Sequence, residues 1–132
     1  MNAVLDHAPR IISTQHGLQW QVLPDEAEET YTNFGDGRKG DASELVTKVN
    51  ADPARNLGHA DWRLPTIDEL KTLLDTTEEP QHLVWSSTTY AKDPSEWGWG
   101  IDFAYEPEYR HGCVNWYRRE WTFWVRPVRT AL

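Results

Sequence analysis

Cysteine, long apolar runs and positive charge are all scarce in this sequence of 132 residues. Because Cys113 is its single cysteine, no disulfide can form within the chain. No stretch approaches the ~20 apolar residues of a membrane-spanning helix, and the N-terminus lacks the charged start and apolar run of a secretory signal. We therefore expect no membrane insertion. These absences are typical of a cytoplasmic protein, of a domain from a larger protein, or of a protein exported outside the general secretory route.

Acidic residues outnumber basic ones, 21 to 13, and the formal net charge is −8. Nonspecific binding to nucleic acid or to anionic membranes requires a dense basic surface, so we expect neither partner. The charge is unevenly distributed, since residues 25–44 are strongly acidic and the chain from Arg110 onward is mostly basic. This asymmetry predicts internal ion pairs or a dipolar surface that steers a partner.

Aromatic residues are abundant by contrast, with eight Trp, five Tyr and three Phe. Each aromatic side chain buries about 150–250 Å², so a few of them can hold together a small fold that is rich in loops. A chain of this length is expected to form one domain, with most of these rings in its core.

Capping signals predict two short helices, at about 42–51 and 67–75. The clearer signal is Thr66 followed three positions later by Glu69, which is the pattern of a capping box; Asp41 begins a second such pattern. Each signal precedes an apolar stripe at helical spacing, which is typical of a helix with one buried face.

Alternating apolar residues predict strands at about 18–23, 83–87, 97–103, 105–109, 113–117 and 121–129, and an edge strand at Ile11 and Ile12. Together these elements predict an α+β fold, in which two short helices pack on a mostly antiparallel, twisted sheet with long loops. We expect an N-terminal extension at residues 1–16 and a single domain over residues 17–132.

Residues 97–103 alternate strictly in size. Alternate positions of a strand share a face, so one face is predicted to carry Trp97, Trp99, Ile101 and Phe103. Such a row predicts a packing face. Gly98 and Gly100 leave bare backbone on the opposite face, where another chain segment or a ligand can approach closely.

Four ordered blocks resemble the bacterial DUF1566 family, also called the Legionella collagen-like protein C-terminal (Lcl C-terminal) domain. They are Gly-Leu-Gln-Trp-Gln at 17–21, Asp-Trp-Arg-Leu-Pro-Thr at 61–66 with Glu-Leu at 69–70, Trp-Ser-Ser-Thr at 85–88, and Val-Arg-Pro-Val-Arg at 125–129. The ordered set is specific, and the similarity runs from about residue 17 to residue 129.

The resemblance implies a C-type-lectin-like α+β fold, of the kind found in adhesins, surface proteins and phage or secreted binding modules. The family's best-studied use is the binding of sulfated sugars through a basic surface, and the net charge of this chain departs from that pattern. Arg63, Arg126 and Arg129 lie in the family's blocks, and we expect them to tie loops together. Their candidate partners are Asp61, Asp68 and Asp102. Relatives include trimers, so a homo-oligomer is compatible with the resemblance.

No residue pattern indicates catalysis or a metal site. The five His residues lack metal-ligand spacing, and His111 lies two residues before Cys113, which is no evidence of an activated thiolate. Ser86 and Ser87 lack a nucleophile elbow. The related formylglycine-generating enzymes share the broad fold class but use two cysteines. This chain has only one, so we do not expect that activity. Residues 106–108 read Glu-Pro-Glu, which is similar to a calcium-binding triplet of C-type lectins. The third residue of the lectin triplet carries an amide, whereas the third residue here carries a carboxylate. We expect no enzyme, no metal and no cofactor.

The stretch from residue 105 to residue 121 concentrates Tyr, Trp, Arg and Asn, the residue types enriched at recognition hot spots. Late strands and loops form the ligand face of C-type-lectin-like folds, so the resemblance points to the same stretch. We therefore predict a ligand-binding surface near residues 97–121, formed by Tyr105, Tyr109, His111, Asn115, Trp116, Tyr117, Arg118, Arg119 and Trp121.

Three classes of function remain open. The leading hypothesis is a noncatalytic binding module that recognises a protein or glycan ligand through this surface. The second is an intracellular acidic partner protein of the immunity or adaptor type, which uses its charge to attract a basic partner. The third is an uncharacterised enzyme, and it rests only on the neighbourhood of Glu106, Glu108 and His111.

Overall fold

The computed structural model describes residues 10–14, 16–22, 29–74, 76–104 and 112–131. The elements in these ranges are β1 (Arg10–Ser13), β2 (Leu18–Val22), α1 (Ala42–Ala51), α2 (Pro53–Asn56), α3 (Ile67–Lys71), β3 (Leu83–Thr89), β4 (Trp97–Asp102), β5 (Cys113–Arg118) and β6 (Val128–Thr130). The strands form two antiparallel sheets of three strands, which we call the first sheet (β1-β2-β6) and the second sheet (β3-β4-β5). Within these ranges no helix is long and apolar enough to cross a membrane.

The prediction of an α+β fold with antiparallel strands is confirmed, but two details are wrong. The described residues form two sheets rather than one, because residues 121–129 are not one strand. This segment pairs in turn with separate parts of the chain: Phe123 bridges Tyr31, Trp124 bridges Val84 in the second sheet, and Val128 joins the first sheet. Pro127 lies directly before β6, where it has no N–H to donate and its carbonyl accepts from the Gln21 N–H at 2.9 Å.

The second wrong detail is the number of helices. Asp52 follows the last residue of α1, and it also begins another helix. Its side chain accepts a hydrogen bond from the Ala54 backbone N–H at 2.9 Å, and Pro53 occupies the first turn of α2. Proline is favoured there because its fixed φ suits the helix and its missing N–H would have no partner within the helix.

The capping box at the start of α3 is confirmed. The Glu69 N–H donates to Thr66 Oγ1 at 3.1 Å, and the Thr66 N–H donates to Glu69 Oε1 at 2.9 Å. Arg63 binds both carboxylate oxygens of Glu69, at 2.7 and 2.8 Å. The predicted structural role of the family arginines also holds for Arg129, whose Nε donates to Asp61 Oδ1 at 2.7 Å. Helix α3 is shorter than predicted.

The second sheet lies between two clusters of buried residues. On one face, Val84 and Ile101 pack with α3 and the first sheet, in a cluster formed by Leu18, Trp20, Leu70, Leu73, Val84, Ile101, Phe103 and Val128. On the other face, Trp85 packs with α1, in a cluster formed by Ala42, Leu45, Val49, Trp62, Trp85 and Val125. Most of the tryptophans in these clusters are completely buried, as their size predicts.

The row of large residues on β4 divides into two halves. Ile101 and Phe103 are buried in the first cluster, as predicted for a packing face. Trp97 and Trp99 share that face, but they are only partly buried. Neither tryptophan belongs to the clusters of buried residues. One sheet face is therefore core at one end and partly open to solvent at the other.

The prediction of close backbone approach at the β4 glycines is confirmed. A Cβ atom at Gly100 would lie 2.9 Å from the Val84 carbonyl oxygen, and one at Gly98 would lie 3.0 Å from Asn33 Nδ2. The Asn33 amide donates to the Ser86 carbonyl at 2.9 Å. The loop that contains Asn33 thus seats directly on the glycine face of the second sheet.

Asp41 organises the loop before α1. Its carboxylate has no exposed surface, and it accepts hydrogen bonds from Thr32 Oγ1, from the N–H groups of Phe34 and Gly35, and from Ser43 N–H and Oγ, at 2.6–3.0 Å. Burial by itself raises the pKa of this carboxyl group. The hydrogen bonds from Ser43, Phe34 and Thr32 outweigh burial and hold the pKa of Asp41 below its usual 3.8.

Replacing Asp41 by asparagine tests this arrangement. Asp41→Asn leaves buried donors facing an NH₂ group, so we expect a loss of about 2–3 kcal/mol in the free energy of unfolding at pH 7. A carboxyl group with a lowered pKa stabilises the fold above its unfolded-state pKa, and this contribution is lost as the pH falls through the folded-state pKa. The difference in the free energy of unfolding between wild type and variant is therefore expected to shrink below pH 4.

Urea unfolding at pH 7 and at pH 2.5 measures this difference. Asp68→Asn is the matched control, since the Asp68 side chain is 89% exposed and its loss is expected to change stability by less than about 0.5 kcal/mol. A difference that stays constant over this pH range would show that the hydrogen bonds do not depend on the ionised form of Asp41.

Candidate ligand-binding surface

Strands β4 and β5 and the ends of their loops form a partly exposed surface, which we call the aromatic ledge. Its rings are Tyr90, Trp97, Trp99, Trp116 and Trp121, and its charged end carries Glu96, Arg118 and Glu120. Antiparallel pairing sets Trp99 directly opposite Trp116 and Trp97 directly opposite Arg118, so these side chains share one sheet face. Trp116 is 41% exposed and Trp121 is 45% exposed. Among the described residues these are the large hydrophobic side chains with substantial exposure.

Ring contacts hold Trp116 in place. The Tyr90 ring stacks on it almost in parallel, with centroids 4.8 Å apart and an angle of 6° between the planes. Trp99 meets Trp116 edge to face, at 5.3 Å and 76°, and also contacts Tyr90 at 6.2 Å. Such pairs contribute about 0.5–1.5 kcal/mol each beyond the area that they bury. Trp116 is therefore exposed but held on two sides.

The other end of the ledge combines a ring with charges. Trp121 contacts the Trp97 ring edge to face at 6.4 Å. The guanidinium carbon of Arg118 lies 4.8 Å from the centroid of the Trp97 ring, a cation–π geometry. The same guanidinium lies 3.6 Å from Glu96 and 3.8 Å from Glu120. Both carboxylates are exposed, so each ion pair adds little to stability. Arg118, Glu96 and Glu120 together carry one excess negative charge.

Arg119 fastens the end of β5 to the loop that contains Asn33. Its Nε donates to the Asn33 carbonyl at 2.6 Å, and its two terminal nitrogens donate to the carbonyls of Phe34 and Pro94, at 2.6 and 2.5 Å. The Asn33 N–H returns a bond to the Arg119 carbonyl at 2.9 Å. Arg119 thereby fixes the turn that carries Trp121; a direct role in ligand binding stays a prediction.

Tyr117 and Asn115 project from β5 on the side opposite Trp116, as the alternation predicts. The Tyr117 ring contacts Trp85 and Phe123, with centroids 6.4 and 5.2 Å apart. Burial, together with nearby Cys113 and Asp102, raises the pKa of Tyr117 to about 12. Asn115 is exposed, and its Oδ1 accepts a hydrogen bond from the Trp116 N–H at 2.9 Å. The predicted contacts of both residues with a ligand stay predictions.

An open cleft borders the charged end of the ledge. It has a volume of about 380 Å³ and is lined by Phe34, Ser95, Glu96 and Glu120. In the described part of the chain, no three side chains among His, Cys, Asp and Glu come together as a metal-ligand set. The cleft is therefore a polar recess beside aromatic rings, with carboxylates as its charged groups.

The structure brings together four of the nine predicted site residues at one location. Trp116, Arg118 and Trp121 lie on the ledge, and Arg119 anchors it. Tyr105, Tyr109 and His111 lie outside the described residues, as does the triplet 106–108. Tyr90 and Glu96 lie at the ends of the loop between β3 and β4 and are not among the predicted site residues. No sequence pattern singles out either residue, because their positions depend on how that loop folds back.

This geometry defines the protein as a small α+β domain with an aromatic surface at one end of its second sheet. The chain belongs to the Lcl C-terminal domain family, whose model matches residues 10–129. The match includes β1, so this strand lies inside the region of similarity. No curated protein and no solved structure shows significant similarity to the chain.

Arg119 and Arg118 are adjacent arginines with different surroundings, and lysine substitutions separate them. Arg119→Lys removes the fork that binds three carbonyls, so we expect a loss of about 1–2 kcal/mol in the free energy of unfolding. Arg118→Lys keeps the charge beside Glu96 and Glu120, and is expected to change stability by less than about 0.5 kcal/mol. Urea unfolding of both variants measures the difference. Equal stabilities would contradict the anchoring role of Arg119.

Proposed function

We propose that the protein is a noncatalytic binding module with a C-type-lectin-like fold, and that it recognises a protein or glycan ligand through the aromatic ledge. The observation that carries the proposal is the exposure of Trp116 and Trp121 on a surface held by ring contacts and by Arg119. Membership in the Lcl C-terminal domain family supports the fold assignment.

The energetics of exposed indole rings favour binding over a structural role. Covering about 100 Å² of indole contributes roughly 2.5 kcal/mol at 25 cal/mol per Å². Trp116 and Trp121 leave this contribution unused in the free protein, and Trp and Tyr are the residues most enriched at binding hot spots. Because the rings are already held in place, little conformational entropy is lost when a ligand covers them.

The surroundings of Ser86 support a noncatalytic assignment for one candidate nucleophile. Its hydroxyl is buried and donates to the Trp99 carbonyl at 2.6 Å. The hydroxyl also accepts a bond from the Thr88 N–H at 3.2 Å. The bond to Trp99 holds β3 against β4 at the bulge between Trp85 and Thr89, which is a structural use of the side chain.

The acidic partner protein remains the second candidate, because the net charge of −8 favours fast association with a basic protein. The two candidates differ in their dependence on salt. Binding through an acidic surface weakens steeply as ionic strength rises. Binding through the ledge depends on Trp116 and Trp121 and changes little between 50 and 500 mM NaCl.

The double substitution Trp116→Ala/Trp121→Ala tests the proposed function. We expect ligand capture from native lysate and on glycan arrays to fall at least tenfold, because two aromatic anchors are lost. The melting temperature is expected to fall, because both positions lose contacts with neighbouring aromatic rings, so capture is measured at a temperature at which the variant is folded. Tyr117 is left intact, since its ring packs against Trp85 and Phe123.

The matched control is Trp116→Phe/Trp121→Phe, which keeps an aromatic face at both positions and is expected to retain most of the capture. The variants are compared at equal concentrations of folded protein. Capture by the alanine variant at the wild-type level would remove the proposed function.

A further inference from the structure

We propose that the ligand of the aromatic ledge is an uncharged oligosaccharide, whose sugar rings stack on Trp116 and Trp121 and whose hydroxyl groups bind the polar side chains between them. This inference rests on the proposed function and names the ligand class of the same surface. Ring geometry, charge and size support it.

The ring geometry suits a flat apolar ligand. Tyr90 covers one face of the Trp116 indole, and Trp99 contacts it edge to face. The 41% of Trp116 that is exposed therefore lies on the remaining surface of the ring. A pyranose presents a face of weakly polarised C–H groups, which pack against the negative face of an aromatic ring. An indole held in a fixed orientation is well suited to this contact.

The charge of the ledge argues against an anionic ligand, and the position of Arg118 argues against a cationic one. Each guanidinium nitrogen of Arg119 already donates to a backbone carbonyl, and Arg118 lies beside two carboxylates, Glu96 and Glu120. A sulfated or phosphorylated ligand requires an excess of cations, which the ledge does not offer. A cationic ligand would have to compete with Arg118, which already occupies the Trp97 ring.

The polar side chains of the ledge fit hydroxyl groups. Arg118 supplies donors only, and the carboxylates of Glu96 and Glu120 supply acceptors only. A sugar hydroxyl both donates and accepts, so neighbouring hydroxyls can bind a guanidinium and a carboxylate at the same time. The cleft beside Glu96 and Glu120, about 380 Å³ in volume, falls within the usual size range for small-ligand sites.

The exposed aromatic area is small for a protein partner. Two indoles that are 41% and 45% exposed present on the order of 200 Å². A stable protein complex buries about 800 Å² on each partner. One or two stacked sugar rings, by comparison, match the area of two indoles.

Titration of wild-type protein with defined probes tests the inference. The uncharged probes are cellohexaose, chitohexaose, maltohexaose, mannohexaose and xylohexaose; a heparin hexasaccharide and an octapeptide of alternating Gly and Arg represent anionic and cationic ligands. Binding is followed by tryptophan fluorescence and calorimetry at 50 and 500 mM NaCl. We expect at least one uncharged probe to bind with a Kd that changes less than twofold between the two salt concentrations, and no binding of the charged probes.

Three substitutions distinguish sugar stacking from general apolar contact. Trp116→Phe is expected to weaken the binding of the uncharged probe less than fivefold, because an aromatic face remains. Trp116→Leu has an apolar side chain without such a face, and is expected to weaken binding more than tenfold. Glu96→Gln/Glu120→Gln keeps oxygen acceptors at both sites, and is expected to weaken binding only modestly.

The other outcomes separate this inference from the proposed function. Binding of heparin or of the arginine peptide that depends on Trp116 would overturn the uncharged ligand and leave the proposed function standing. Failure of all the uncharged probes to bind, or equal affinities of the Phe and Leu variants, would also overturn it. Binding of any probe that survives Trp116→Ala/Trp121→Ala at full strength would count against the ledge itself.

Discussion

The close contact between the glycine face of β4 and the rest of the domain is the constraint on which the ledge depends. Gly100 lies against the Val84 carbonyl, and Gly98 lies against Asn33. Side chains alternate along a strand. When the glycine face of β4 packs against the domain, Trp97 and Trp99 therefore lie on the opposite face of the strand. On that opposite face, Ile101 and Phe103 belong to the first cluster of buried residues, but Trp97 and Trp99 do not. The ledge is therefore a consequence of how β4 packs.

The loop that contains Asn33 links this packing to the far end of the ledge. Asn33 bonds to the Ser86 carbonyl on β3, and its own carbonyl accepts from Arg119. Asp41 holds the same loop through the N–H groups of Phe34 and Gly35. A chain of hydrogen bonds thus runs from the buried carboxylate at the start of α1 to the turn before Trp121.

Features that depend on local sequence could be predicted, whereas those that depend on distant contacts could not. The capping box at Thr66 and the alternation along β4 are set by neighbouring residues, and both are present in the structure. The division into two sheets depends on the path of residues 121–130 between distant strands, which periodicity does not encode. The stacking of Tyr90 on Trp116 likewise depends on a loop conformation. At the candidate surface, composition identified Trp116 and Trp121 but could not distinguish Arg118, on the ledge, from Arg119, which bonds to backbone carbonyls.

The aromatic ledge requires Trp116 and Trp121 to be open to solvent in the folded protein, whereas Trp20, Trp62 and Trp85 are buried. The most direct measurement is the paramagnetic broadening of the indole N–H resonances by a soluble, uncharged gadolinium chelate. We expect strong broadening for Trp116 and Trp121 and sharp resonances for the three buried tryptophans. Sharp resonances for both Trp116 and Trp121 would contradict this expectation, because the ledge would then be covered.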